Sequence, residues 1–252
     1  IGGGALMAAV MGYFMFYGGV RNVYVTIITL VATLVLHTFM AQTAGAEWTI
    51  GTAALGGFNG MPTIPNLAFG VEGAAFTFDS VTFYYLVLVL LVVTYLGLRA
   101  LVNSDYGRVM VAVREDEDRT QMFGYKVRRV KLVVFTIGGA LAGLSGVLYA
   151  SWGNYMSPGV FELTFASLPV IWVSVGGRKS LLGAVVATIG IEFFRNSLGG
   201  ELAFVIVGAL LLVFILGLPG GIVPWVDETY AEMRDDGASA DPPEATTEVS
   251  DP

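Results

Sequence analysis

The sequence predicts an all-α fold: a polytopic transmembrane helical bundle with a broken helix pair around 163–197 and a disordered acidic carboxyl-terminal tail. Three observations lead there. Of 252 residues, 55% are hydrophobic and 13% charged, whereas a soluble domain carries about 45–50% apolar and about 25% charged residues. Glycine, at 33 residues, has about twice its usual share, which suits helices that pack closely in lipid. The apolar residues also gather in runs comparable to the thickness of a bilayer.

A spanning helix needs about 20 largely apolar residues. Gly2–Gly19 is uncharged, and Val23–Met40 follows after Arg21 and Asn22, with His37 its one ionisable group. Val81–Leu98 and Leu132–Trp152 are two further uncharged runs. Leu163–Gly177 is shorter and meets Arg178-Lys179; Ser180–Ile191 resumes, until Glu192 and Arg195. Leu202–Leu218 closes the series before Pro219-Gly220-Gly221. One straight helix over 163–197 would be about 52 Å long, more than a bilayer requires, so a break is expected at Gly176-Gly177-Arg178-Lys179. A signal peptide would supply a single apolar run, not six or seven. The first residue is Ile1 rather than Met, so an amino-terminal portion is expected to precede it.

Charge gives orientation. Seven of the thirteen basic residues lie in one stretch: Arg108, Arg114, Arg119, Lys126, Arg128, Arg129 and Lys131. The positive-inside rule makes 103–131 cytoplasmic. The segment 41–80 then faces outward, and it has Glu47, Glu72 and Asp79 but no Lys or Arg. Two domains are expected: a membrane domain over 1–226 and a tail over 227–252. The tail holds nine acidic residues and Arg234, which makes it a solvated, disordered segment.

Several chemistries are excluded. There is no cysteine, so no thiolate metal site or disulfide, and one histidine cannot build a zinc centre. Gly176-Gly177-Arg178-Lys179-Ser180 only looks like the end of a phosphate-binding loop, with Arg where Lys is needed. No nucleophile elbow precedes a serine, so the chain is read as no enzyme, with no cofactor and no nucleic-acid partner. His37 is read as hydrogen-bonded to a neighbour. Glu192 and Arg195, one turn apart, can pair.

Within the cytoplasmic stretch, Val109, Ala112 and Val113, then Met122 and Phe123, fall where one short helix could hold an apolar face. Gly124 would end it in the left-handed conformation. Such a helix can dock into a groove on a cytosolic partner; a plain charged interfacial loop is the alternative. Gly138, Gly139, Gly143 and Gly146 offer a flat face for another helix.

Asp118-Arg119-Thr120, three residues, then Gly124 resembles the coupling-loop signature of ABC-importer permeases. The longer context is more specific. Gly107-Arg108, Ala112-Val113-Arg114-Glu115, Gly124-Tyr125, Lys131 and the run Ala140–Tyr149 resemble the branched-chain amino acid and urea permease family. The likeness extends from about Gly19 to Trp225. Val170–Arg178 looks closer to the urea branch, with branched-chain amino acids the alternative and short-chain amides a third possibility. The resemblance implies a permease whose loop, through Arg114, Glu115, Asp118, Arg119, Thr120 and Gly124, meets ATPase subunits. It further implies a second permease subunit as heterodimer partner, two cytosolic ATPase subunits, an extracytoplasmic solute-binding protein, and a multi-pass place in the cell membrane among its lipids. Gly56-Gly57-Phe58-Asn59-Gly60 resembles a family element whose backbone could line the solute path at Gly56, Gly57, Asn59 and Gly60; an ordinary turn is the other reading. A secondary transporter or channel without an ATPase would carry several ionisable groups in mid-helix, and these are scarce here.

Overall fold

A computed structural model describes residues 1–20, 23–45, 47–50, 53–62, 64–69, 76–177, 180–198 and 208. The expected helix at Leu202–Leu218, the pair Arg178-Lys179 and the acidic tail lie outside the described residues, as does the side chain of Arg195. The chain divides into two compact units, Ile1–Ala166 and Ser167–Pro252.

The first unit carries α1 (Gly2–Tyr17), α2 (Val23–Gln42), α3 (Ser80–Asn103), α4 (Asp105–Glu115), α5 (Glu117–Met122) and α6 (Val127–Gly153). The helices α2, α3 and α6, of 20, 24 and 27 residues, are each long and apolar enough to cross a membrane. Their outward-facing apolar side chains stay uncovered, as lipid contact demands: Val31, Val89 and Val93 are all exposed. Three threonine hydroxyls in α2 are satisfied within the helix. Thr29 donates to the Val25 carbonyl at 3.0 Å, Thr33 to Thr29 at 2.8 Å and Thr38 to Leu34 at 2.9 Å, which spares these three hydroxyls the cost of lying unpaired in hydrocarbon. His37 is half-buried on α2 and makes no hydrogen bond among the described residues, contrary to the expectation for it.

The α1 and α6 helices pack antiparallel through small residues. A methyl group built on Gly139 would strike Ala8, and one on Gly4 would meet the backbone of Gly139 and Gly143. Farther along, Gly12 lies against Leu132 and Phe135, and Phe16 meets Phe135 edge to face at 5.7 Å. Gly138 and Gly146, on other faces of α6, have open space around them. The packing reading of the glycine-rich span is therefore observed for Gly139 and Gly143.

At the end of the bundle where α2 stops and α3 starts, the chain folds into short two-residue pairings. Thr49–Ile50 pairs with Ala53–Ala54, and Ala68–Phe69 with Phe76–Thr77. Met61–Pro62 pairs across the bundle with Tyr155–Met156, just beyond α6. Asn154, left-handed at φ 49°, ends α6 and donates to the Ile64 carbonyl and the Asn66 side chain, both at 2.8 Å. Asp79 caps α3, accepting from the Thr82 amide at 3.2 Å, and hydrogen bonding from the Thr82 side chain first and its amide second holds the carboxyl below the usual carboxylate range.

The second unit's described part is dominated by α7 (Leu163–Gly176, entered from the first unit) and α8 (Leu181–Leu198). They bend by 117° at the expected break. Gly177 turns the chain at φ 99°, and Ser180 accepts from the Gly183 amide at 3.0 Å to open α8. Gly176 fits only as glycine, because a side chain there would collide with the Gly183 carbonyl.

Candidate functional site: the basic elbow between α3 and α6

Between α3 and α6 the chain makes an elbow of two helices, where the sequence suggested one. Ser104 forms the first corner. Its hydroxyl donates to the Leu101 carbonyl at 2.6 Å and accepts from the Gly107 amide at 3.3 Å, which starts α4. Gly107 is buried against the Val102 carbonyl, and no side chain fits there. That is the physical content of the Gly107-Arg108 motif.

Asp116 forms the second corner. Its backbone is extended at φ −156° and ψ 106°, so α4 stops; its side chain then accepts from the Arg119 amide at 2.9 Å and caps α5. This break overturns the single apolar face. Val113 turns inward and joins Val127 and Val130 in a small core, with Tyr106, Val109 and Met110 around it. Ala112 is exposed, and Met122 and Phe123 project at 86% and 77% exposure. A capping aspartate at the fourth residue before Thr120 was the available signal, and the hydrophobic spacing concealed it.

The predicted coupling residues occupy distinct places along this elbow. Arg114 and Glu115 pair with each other at 2.6 Å, both exposed. Arg119 is held 3.4 Å from Asp116. Asp118 is exposed beside the end of α1, in a small cleft with Gly19, Val20 and Arg128. Thr120 is buried at 4% exposure, and its hydroxyl donates to the Asp116 carbonyl at 2.7 Å. Gly124 is left-handed at φ 88°, its amide donating to Gln121 at 2.9 Å. An ion pair that the sequence reading passed over, Lys131 with Glu117 at 2.5 Å, ties α5 to the start of α6. Partners fourteen positions apart fall outside any helical spacing, which is why the pattern did not reveal them.

At the opposite end, the Gly56–Gly60 segment is a tight turn with positive φ at Gly56, Gly57 and Gly60. Gly57 and Gly60 are buried, against Ala44 and against the backbone of Met156 and Ser157 respectively. The Asn59 carbonyl accepts from the Tyr155 hydroxyl at 2.8 Å. Nearby, an open cleft of about 530 Å³ lies between the start of α3 and the end of α6, lined by Asn66, Phe83, Tyr84, Tyr149, Trp152 and Asn154 among others. No cluster of potential metal ligands occurs among the described residues.

Long lipid-facing helices and a capped basic elbow at one end define a multi-pass helical protein of the cell membrane. The comparisons narrow this. A family profile described as the branched-chain amino acid transport system permease component matches residues 1–217. The high-affinity branched-chain amino acid transport system permease protein LivM of Escherichia coli K12 is 30% identical over 245 residues, 87% of this chain and 55% of that protein. Its Salmonella typhimurium counterpart is 32% identical over 197 residues, 69% of this chain and 46% of the relative. A probable LivM of Methanocaldococcus jannaschii is 25% identical over 187 residues, 68% of this chain and 53% of the relative. No solved structure matches the chain significantly. The chain belongs to the branched-chain amino acid transport system permease family, a permease family rather than an enzyme family. It spans about half the length of the curated relatives it matches.

Proposed function

We propose that this chain forms the membrane body of an ABC importer that carries branched-chain amino acids, with the 104–131 elbow receiving the force of ATP hydrolysis on separate subunits. The observation that carries the reading is the elbow itself: a braced two-helix corner with Met122 and Phe123 presented at its tip, in a chain of this family. Exposed apolar side chains on a short helix are what a cytosolic groove would bind. The wider assembly of the proposal is a second permease subunit, two ATPase subunits and an extracytoplasmic solute-binding protein. The acidic tail is assigned to the cytoplasmic side by counting crossings onward from the inward-facing 103–131 stretch.

The substrate reading changes from the one the sequence favoured. The urea preference rested on Val170–Arg178, whereas the three relatives described are all named for branched-chain amino acids. The Gly56–Gly60 turn is proposed as a fixed rim of the outer mouth, since its Asn59 carbonyl is engaged by Tyr155.

Two measurements test this. Purified from native membranes, the chain brings an ABC-type ATPase with it, and Phe123→Asp or Gly124→Pro abolishes uptake. Absence of the ATPase, with uptake untouched by both substitutions, would remove the coupling role. In reconstituted vesicles containing the full assembly, labelled leucine accumulates and labelled urea does not; the reverse result restores the urea reading.

A further inference from the structure

The cations at the start of α6 are unequally answered. Lys126, Arg128, Arg129 and Lys131 crowd its start, where the first turn contains no acidic residue and there is no side-chain cap. A helix start already carries partial positive charge and ordinarily attracts acids. Lys131 has Glu117. Among the described residues, Lys126, Arg128 and Arg129 have no ion pair.

Their surroundings separate them. Arg128 lines the small cleft toward Phe16 and Glu117. Lys126 and Arg129 line another, of about 340 Å³, together with Tyr106, Val130 and Val133. The Tyr106 hydroxyl is shielded from solvent and meets no hydrogen-bond partner. Burial raises its pKa, with the Arg129 charge pulling the other way, so it is a proton donor at neutral pH. Two cations and a hydroxyl thus converge on one opening without an acceptor, and a shielded donor left unmet is costly. One turn beyond Arg129, Val133 is exposed and apolar, where α6 enters the hydrocarbon.

We propose that this cleft holds the phosphate of an anionic phospholipid of the cytoplasmic leaflet, bound by Lys126, Arg129 and the Tyr106 hydroxyl. The acyl chain lies along Val133. Charge complementarity selects the anionic headgroup, since basic residues at the cytoplasmic membrane surface attract such lipids. The apolar wall selects a lipid over free phosphate. The inference needs only the membrane placement of α6 and the inward-facing position of its start, and stands whether or not the transport reading does.

The test uses the chain purified with whatever subunits accompany it. After detergent exchange, retained lipid is quantified by mass spectrometry, and binding is titrated with phosphatidylglycerol, phosphatidylcholine or inorganic phosphate, followed by thermal stability. Phosphatidylglycerol is expected to be retained and to raise the melting temperature, whereas the other two do neither. Lys126→Gln and Arg129→Gln each weaken phosphatidylglycerol binding about fivefold, and Tyr106→Phe weakens it with both cations intact. Arg128→Gln removes the same charge on the other side of α6 and leaves binding unchanged. Equal loss in Arg128→Gln and Arg129→Gln reduces the effect to net charge and overturns the site. So does a phosphate-induced shift as large as the lipid's, or equal retention of phosphatidylcholine.

Discussion

A methyl group at Gly107 would collide with the Val102 carbonyl, whereas one at Gly97 would find open space. Gly107→Ala is therefore expected to destabilise the first elbow corner by about 1–3 kcal/mol, and Gly97→Ala to be neutral, as read from melting in detergent. Gly124 differs in kind, because no neighbour crowds it and the cost of a side chain lies in its φ of 88°. Gly124→Ala should cost about 1–2 kcal/mol, with Gly124→Asn milder, since asparagine tolerates this conformation. Asp79 supplies a pH dependence. Its folded pKa is depressed by the Thr82 hydrogen bonds, so its contribution to α3 is present above the unfolded value and lost as pH falls through the lower folded one. Amide exchange at Thr82 should accelerate only in that acid window, and in Asp79→Ala it should be fast throughout.

Among the elements, α6 carries the most contacts with the rest of the first unit, and its glycines are not equivalent. Gly139→Leu should separate α1 from α6 and lower stability by about 1–3 kcal/mol, while Gly138→Leu, one residue away, should be silent. A melting comparison of the two variants decides whether the crossing is as close as the Gly4–Gly139 approach implies. The sequence displayed the four small residues but not which pair would meet α1, because glycine spacing marks a face without naming its partner. The long apolar runs were legible for the same reason that lipid demands them: each one among the described residues corresponds to a helix with uncovered apolar side chains. The elbow was legible in composition and position only. Val109 and Val113 were rightly read as one apolar stripe, but Met122 and Phe123 were added to it across Asp116, whose cap resets the helical phase. Periodicity carries no information through such a break.

For the whole molecule, sidedness is the statement on which the coupling and lipid proposals both depend. With no native cysteine, single Arg114→Cys and Phe58→Cys variants give clean reporters. A membrane-impermeant thiol reagent should reach Phe58→Cys from outside intact cells and Arg114→Cys only after inner-face access is opened. Labelling of Arg114→Cys in intact cells would invert the topology. Within the outer end, Met61 and Met156 are directly opposed, and such partners lie about 4.5–5.5 Å apart. A Met61→Cys, Met156→Cys double variant should therefore form an intramolecular disulfide under mild oxidation, seen as loss of both free thiols, while each single variant keeps its one thiol titratable.

That same Met61–Met156 pairing joins residues made far apart in time. On the proposed sidedness, the α2–α3 connection is translocated well before Tyr155 leaves the ribosome, yet Asn59, Ile64 and Asn66 bond to residues 154 and 155. Completion of that outer surface then waits for α6 to cross the bilayer, and the 59–66 segment is expected to stay protease-sensitive during synthesis until this late helix arrives.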